Sequence, residues 1–337
     1  MYESKSQTLI TGVYRTGTEY ISQLINCHPH ISVTMYSVNI LRFIYNKYNP
    51  ISKKDNYIAA LDSLYERIQE RYNLILNKGE IIEVLSKYKN IDYGILYDVV
   101  MRSLYLKPPA ECWAEKNQLL WREIPIFLNM MPNGKAILIV RDPRSILLSF
   151  KKYTYAKPPA YIGAVFNALD AMQHGLEYTN QYPDQFCSIR YEDAAINPDE
   201  TVRKIWHFLG LKGEYQINNQ PNWVDAYGNP WHANSSFHKN DDLRSFDVES
   251  SINRWKTDLN EKEISLVEGV CGEMMQKYDY SLTVNTYDWL SIMRLFAHDD
   301  TITDHFRKWL LTGKGIELFP TDPVDPKNWE RTTNKQS

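Results

Sequence analysis

Two hydrophobic rhythms alternate along this chain. Short apolar runs recur, and each is followed by a segment with apolar residues three and four apart. The first run, QTLITGV at 7–13, ends in a turn and predicts a buried strand. In TEYISQLINCH, Tyr20, Ile21, Leu24 and Ile25 have helical spacing, and Pro29 ends that helix. Residues 37–106 read as mostly helical. Their best segment is DNYIAALDSLYERIQERYNLIL, with Ile58, Leu61, Leu64, Tyr65, Ile68 and Tyr72 in one stripe and Asp55 as the expected cap. AECWAEK at 110–116 predicts a strand, followed by a helix from about Leu119 to Asn129. Asn133-Gly134 forms a turn, Ala136 to Val140 a fully apolar strand, and Pro143 opens a helix. A helix over 161–181, a strand over FCSIRYED and a helix over NPDETVRKIWHFLGL to Gly210 follow.

Residues 212–247 lack periodicity and are rich in Asn, Asp, Pro and Gly, which predicts a long loop. A helix is expected at 261–277 and one more within 285–310. The last stretch, FPTDPVDPKNWERTTNKQS, is a polar, proline-rich tail. Strands alternating with helices give an α/β fold, with a central, mostly parallel sheet covered on both faces. Ligands of such sheets bind at the carboxyl ends of the strands. Three polar clusters fall there: YRTGT, RDPR and RYED.

Composition narrows the function without naming it. The 337 residues are 43% hydrophobic and 23% charged, with a formal charge of −3. That balance argues against general nucleic-acid binding, so any anion site must be a local basic cluster. Cys27, Cys112, Cys187 and Cys271 are far apart, and we read them as reduced thiols rather than disulfides or metal ligands. No stretch approaches the length of a membrane span, and the N-terminus has no signal-like apolar run. The expectation is a cytoplasmic protein with no membrane partner. The 24 tyrosines suit a pocket that stacks on planar groups.

The chemistry begins at GVYRTGTEY, Gly12 to Tyr20. A loop between a strand and a helix N-terminus points backbone N–H groups at one spot, where the helix dipole favours an anion. Gly17 lets the backbone approach closely, and Thr16 and Thr18 add hydroxyls. The loop departs from the nucleotide-triphosphatase pattern GxxxxGK, because Thr18 stands where the lysine belongs. The positive charge must instead come from Arg15, inside the loop.

Four blocks in order over residues 7–280 then resemble the sulfotransferase family. GVYRTGTEYISQLINCHPHI is similar to that family's 5′-phosphosulfate loop. AILIVRDPRSILLSF resembles its 3′-phosphate motif, with Arg141 and Ser149 at the matching positions. IRYEDAAINPDETVRKIWHFLGL resembles a third segment. NSSF at 234–237 with NRWKTDL at 253–259 resembles the C-terminal cofactor-covering segment. The closest flavour is the bacterial branch, which shares the arginine-type loop with tyrosylprotein sulfotransferases.

The resemblance implies a P-loop-like sandwich with a helical insert at about 37–106, forming one domain over 1–284 with an extension over 285–337. It also implies 3′-phosphoadenosine 5′-phosphosulfate (PAPS) as donor, no metal, and a small-molecule acceptor whose hydroxyl, amine or carbamoyl group takes the sulfuryl. The implied cofactor residues are Tyr14, Arg15, Thr16, Gly17, Thr18, Arg141, Ser149, Tyr191, Ser236, Arg254 and Lys256. Arg15 and Lys116 are the implied catalytic pair.

Two familiar general bases are missing. Gln118 stands where many relatives have histidine, and VTMYS follows the HPHI turn without a carboxylate. Glu115 should point away from Lys116 by strand alternation. His28, His174 and His207 read as structural, whereas His232 and His238 lie in the long loop. Tyr36, Tyr45, Tyr97, Trp113, Tyr155 and Tyr161 are candidate acceptor-pocket residues or core. Two alternatives remain at this point: a P-loop small-molecule kinase, and a non-catalytic protein with a degenerate version of the fold. The oligomeric state is open.

Overall fold

The structure is a computed structural model of the whole chain. It describes residues 5–153, 158–213, 215–217, 223–224, 230–231 and 247–317. Five strands run in the spatial order β2-β3-β1-β4-β5, with every pairing parallel. They are β1 (Ser6–Gly12), β2 (Ile31–Val33), β3 (Cys112–Lys116), β4 (Lys135–Val140) and β5 (Phe186–Arg190). The first helix, α1 (Thr18–Ile25), follows β1 directly. Between β2 and β3 lie α2 (Ile40–Phe43), α3 (Lys54–Tyr72), α4 (Lys78–Leu85) and α5 (Tyr93–Tyr105). After β3 come α6 (Ile124–Met130), then α7 (Pro143–Tyr153) and α8 (Gly163–Gln181) on either side of a short turn. The remainder is α9 (Tyr191–Ile196), α10 (Pro198–Phe208), α11 (Val248–Asn253), α12 (Trp255–Asp258), α13 (Glu261–Lys277), α14 (Trp289–Met293) and α15 (Asp300–Thr312).

Alternation along β4 shows why the sheet must be covered twice. Ala136, Leu138 and Val140 enter one core, with α7, α8 and α13. Ile137 and Ile139 enter the other, with α1 and α10. A strand buried on both faces reads as a continuous apolar run, which is why it was legible. All five apolar residues are at most 2% exposed.

Five sequence expectations change. The strand β2 is an addition, because ISV is too short to show a period. FCSIRYED splits: the strand stops at Arg190 and Tyr191 begins α9, so RYED straddles a strand–helix junction. The helix expected from Leu119 becomes a tight turn at Trp121–Glu123 followed by α6. Asp55 does not cap α3; Lys53 holds the cap position without a side-chain bond, and Asp55 lies in the first turn, where its charge favours the helix dipole.

The segment 285–310 holds two helices rather than one. Beyond α15 the chain crosses α8. The Ile316 N–H donates to the Phe166 carbonyl at 3.0 Å, and the Glu317 carboxylate accepts from Arg42 at 2.6 Å.

The RDPR cluster is divided between support and site. Arg144 is buried and pairs with Asp142 at 2.7 Å and Glu268 at 2.6 Å. Its guanidinium lies 3.8 Å over the Trp255 ring. Glu268 in turn accepts the backbone N–H groups of Thr283 and Val284, both at 2.8 Å. Removing the cation leaves two carboxylates buried and unpaired, which costs more than the pair contributes when intact. Arg144→Ala is expected to lower the unfolding free energy by about 3–5 kcal/mol. Urea denaturation measures it, and an unchanged midpoint would refute the bracing role.

Candidate active site

The loop that follows β1 is built by two left-handed residues. Arg15 has φ 73° and Gly17 φ 84°. The first is uncommon for a residue with a Cβ and costs roughly 1 kcal/mol or more. Thr16 closes the turn, its hydroxyl and N–H both donating to the Val13 carbonyl, at 2.8 and 3.2 Å. Gly17 is the cap of α1 and offers no side-chain acceptor, so first-turn N–H groups of the helix keep their donating capacity. A Cβ on Gly17 would run into the Tyr191 ring.

Around this loop the fold gathers residues from distant parts of the chain. Arg15 Nε donates to Ser149 Oγ at 2.9 Å. Ser149 sits in α7, 1% exposed, so its place two turns into the helix does not keep it from the loop. Arg141, just past β4, donates through Nη1 to the Arg15 carbonyl at 2.8 Å and through Nη2 to the Ser251 carbonyl. Its guanidinium lies 4.2 Å from the centre of the Tyr191 ring. Arg141 Nε is buried and has no acceptor among the described residues.

Burial is the main cause that pushes the Tyr191 phenol above its ordinary range, and the Arg141 charge opposes it. Glu192 beside it is raised by burial too, and accepts from the Asp142 N–H at 3.0 Å and the Tyr280 hydroxyl at 2.7 Å.

An aromatic wall extends from Tyr191 in a way the sequence did not disclose. Tyr20 meets Tyr191 edge-on at 6.2 Å and stacks on Trp231 at 6.1 Å. Trp231 and Trp223 are joined by a single antiparallel bridge between Val224 and Pro230. Their only sequence signal was aromatic content inside a long polar segment.

The other expected residues divide. Thr18 Oγ1 accepts from Gln118 Nε2 at 3.1 Å, so the residue in the expected histidine position ties β3 to the loop. Lys116 ends β3, 8% exposed, and Tyr14 is half-buried against the core. Glu115 faces the opposite way, fully buried, as alternation requires. Arg254 bonds Ser250 Oγ at 3.2 Å, while Lys256 is exposed with its ammonium 5.8 Å from the Trp255 ring. Ser236, His232, His238 and Tyr155 lie outside the described residues.

Of the tyrosine and tryptophan candidates, Tyr97 and Trp113 are core, with no exposure. The Tyr161 hydroxyl donates to Glu263 at 2.6 Å. Tyr45 faces a cleft with Gln7 and Asn133, at the end of the sheet away from the loop. Tyr36 is half-buried, next in sequence to the Ser37 whose hydroxyl bonds the Lys116 carbonyl, and packs on Tyr72 and Tyr105 at 4.8 and 5.2 Å. Burial pushes its phenol up to about 12, which makes it a poor base near neutrality. His28 is structural, as expected: Nε2 meets the Lys212 carbonyl, Nδ1 accepts the His30 N–H, and burial lowers its pKa.

Gly17→Ala should destabilise the protein by about 1–2 kcal/mol through its backbone alone, with a further loss from displacing Tyr191. Gly79→Ala is the control, since only an ordinary contact with Asn77 awaits its Cβ. That change should be neutral or slightly stabilising. Thermal unfolding of the two variants side by side checks the difference.

Comparison with known proteins accords with this geometry. Carbohydrate sulfotransferase 1 of Danio rerio is 24% identical over 363 aligned residues, covering 88% of this chain and 82% of that protein. Carbohydrate sulfotransferase 3 of Tetronarce californica is 24% identical over 176 residues, covering 47% of this chain and 38% of its own length. The fold is shared with the sulfotransferase domain of the Synechococcus PCC 7002 olefin synthase, at a TM-score of 0.53 and 14% identity, covering 84% of this chain and 98% of that domain. The sulfotransferase domain of the curacin biosynthetic pathway is similar at 0.51 and 16%, covering 84% and 99%. Residues 8–215, more than half of the chain, match the model described as the sulfotransferase family. The match takes in the loop, Arg141, Ser149 and Tyr191, and the chain belongs to that family.

Proposed function

We propose that this sulfotransferase uses PAPS as its donor and transfers the sulfuryl group to a hydroxyl of a small molecule or sugar. One observation carries the reading: Arg15, Ser149, Arg141 and Tyr191 are in direct contact at the end of the parallel sheet, against a helix N-terminus. The residues fit such a donor. The orphaned Arg141 Nε and the uncapped start of α1 are donors in need of anionic acceptors.

When bound, PAPS supplies an activated sulfuryl group whose departure leaves negative charge on a phosphate oxygen. The protein's part is positioning and charge stabilisation. Gly17 and the first turn of α1 hold the 5′-phosphate by backbone N–H groups. Arg141, flat on Tyr191, and Ser149 hold the 3′-phosphate. Arg15 remains cationic at every working pH and places its charge beside the loop without any proton transfer. Its bond to Ser149 fixes the side chain before the acceptor arrives. Lys116 brings a second cation from the end of β3. These charges come from side chains, and the reading requires no metal.

The acceptor assignment rests on two supports. The curated relatives are named for carbohydrate, whose acceptor groups are hydroxyls. Tyr36, next in sequence to the Ser37 whose hydroxyl bonds the Lys116 carbonyl, forms with Tyr72 and Tyr105 an aromatic cluster that suits stacking on a ring.

Two measurements test the reading. Calorimetry of 3′-phosphoadenosine 5′-phosphate (PAP) should show magnesium-independent binding that Arg141→Ala weakens at least about tenfold, as loss of a charged hydrogen bond would. Arg15→Ala should retain most of that binding yet slow sulfuryl transfer by on the order of 10²–10³-fold. Magnesium-dependent binding of ATP in place of PAP would overturn the proposal.

A further inference from the structure

Beneath Lys116 lies a polar cluster that the reaction described above does not use. Glu115 is fully buried and pairs with no cation at salt-bridge distance among the described residues. Its Oε1 accepts the Asn39 N–H at 2.7 Å and Asn117 Nδ2 at 3.2 Å, and its Oε2 accepts the Tyr97 hydroxyl. Arg67, in α3 and 3% exposed, approaches the same stretch of backbone. Its Nη1 donates to the carbonyls of Ser37 and Val38 at 2.9 and 2.8 Å. A buried carboxyl group and a buried guanidinium thus grip three consecutive residues. One takes an N–H and the other takes two carbonyls. Between them Asn39 adopts φ 65°, and α2 starts one residue later.

That gripped segment is joined to Lys116 on both sides of its Cα. The Lys116 N–H donates to Thr34 Oγ1 at 3.1 Å, and the Lys116 carbonyl accepts from Ser37 Oγ at 3.1 Å. The next residue, Asn117, bonds Glu115 and Asn39 through its side chain and the Ile10 carbonyl through its backbone. Lys116 is therefore held by the segment 34–39, and that segment is held by Glu115 and Arg67. Burial raises the carboxyl of Glu115, and the Tyr97 and Asn39 hydrogen bonds and the charge on Arg67 oppose the rise.

A carboxylate at such a position is costly to bury. A leucine or glutamine would fill the same space, yet neither accepts three hydrogen bonds from three directions.

We propose that Glu115 is a positioning residue for sulfuryl transfer, acting through the 34–39 segment to aim Lys116 at the transferred group. Lys116 has that role only in the function proposed above, and Glu115 shares its fate. Among the described residues no hydrogen bond joins Arg141, Ser149 or Tyr191 to the clamp, so its loss should leave donor affinity intact.

The test compares the wild type with Glu115→Gln, Lys116→Ala and the double variant, all as full-length protein. PAP affinity is measured by calorimetry. Turnover is read as release of labelled sulfate from PAPS with water as acceptor, which needs no identified substrate. Glu115→Gln should bind PAP as the wild type does and lose roughly 10- to 100-fold in rate. In the Lys116→Ala background it should cost nothing further, because the two changes act on one element.

The positioning role is overturned if Glu115→Gln slows both backgrounds by the same factor, weakens PAP binding along with the rate, or leaves the rate unchanged. A wild-type rate in Lys116→Ala overturns it at the level of Lys116. Failure of the wild type to bind PAP instead sinks the proposed function. Should Glu115→Gln not fold, Tyr97→Phe removes a single donor to the same carboxylate and is read by the same comparison.

Discussion

The structure turns on the Arg141 guanidinium. It sits where β4 ends, and its two Nη groups bind carbonyls from the β1 loop and from α11. Its flat face is occupied by Tyr191, at the start of α9. A planar cation is suited to this junction, since its edge donates in a fixed fork while its face packs on an aromatic ring. Lysine could supply the charge but neither the fork nor the stack. One side chain thereby sets the relative placement of four segments, and those segments line the candidate donor site.

The same economy explains the division of labour in RDPR. Arg141 points toward the loop. Asp142 and Arg144 turn back to brace α13 and, through Glu268, the segment after it. Pro143 starts α7 and delivers Ser149 two turns later to Arg15. The motif is therefore a junction whose first arginine faces the candidate site while Asp142 and Arg144 support the fold.

Much of this was legible in the sequence. The short apolar runs of β1 and β4 announced themselves, because strands covered on both faces cannot show a clean polar alternation. Thr18 and Arg15 stood out as departures from a familiar phosphate loop. The parts that stayed hidden were of two kinds. β2 and the start of α9 are too short for periodicity to outweigh their surroundings. The clamp around Glu115 and the wall of Tyr20, Trp223 and Trp231 depend on partners up to about two hundred residues apart, and no local pattern records such meetings. Glu115 could be placed on the buried side of β3 by alternation, but its partners Asn39, Tyr97 and Arg67 are supplied by the helices between β2 and β3.

The site's own connectivity has a thermodynamic consequence. Arg15 and Ser149 are 134 residues apart in sequence, Arg141 and Arg15 126, and Arg141 and Ser251 110. The constellation spans residues 15–251, so only a fold that brings those distant segments together presents it. Any ligand seated there binds the native state and ignores the unfolded one. It must raise the melting temperature by mass action, with about 2.7 kcal/mol of added stability at a hundredfold excess over its dissociation constant. Cellular levels of donor and spent nucleotide would then govern how long this protein survives as well as how fast it works.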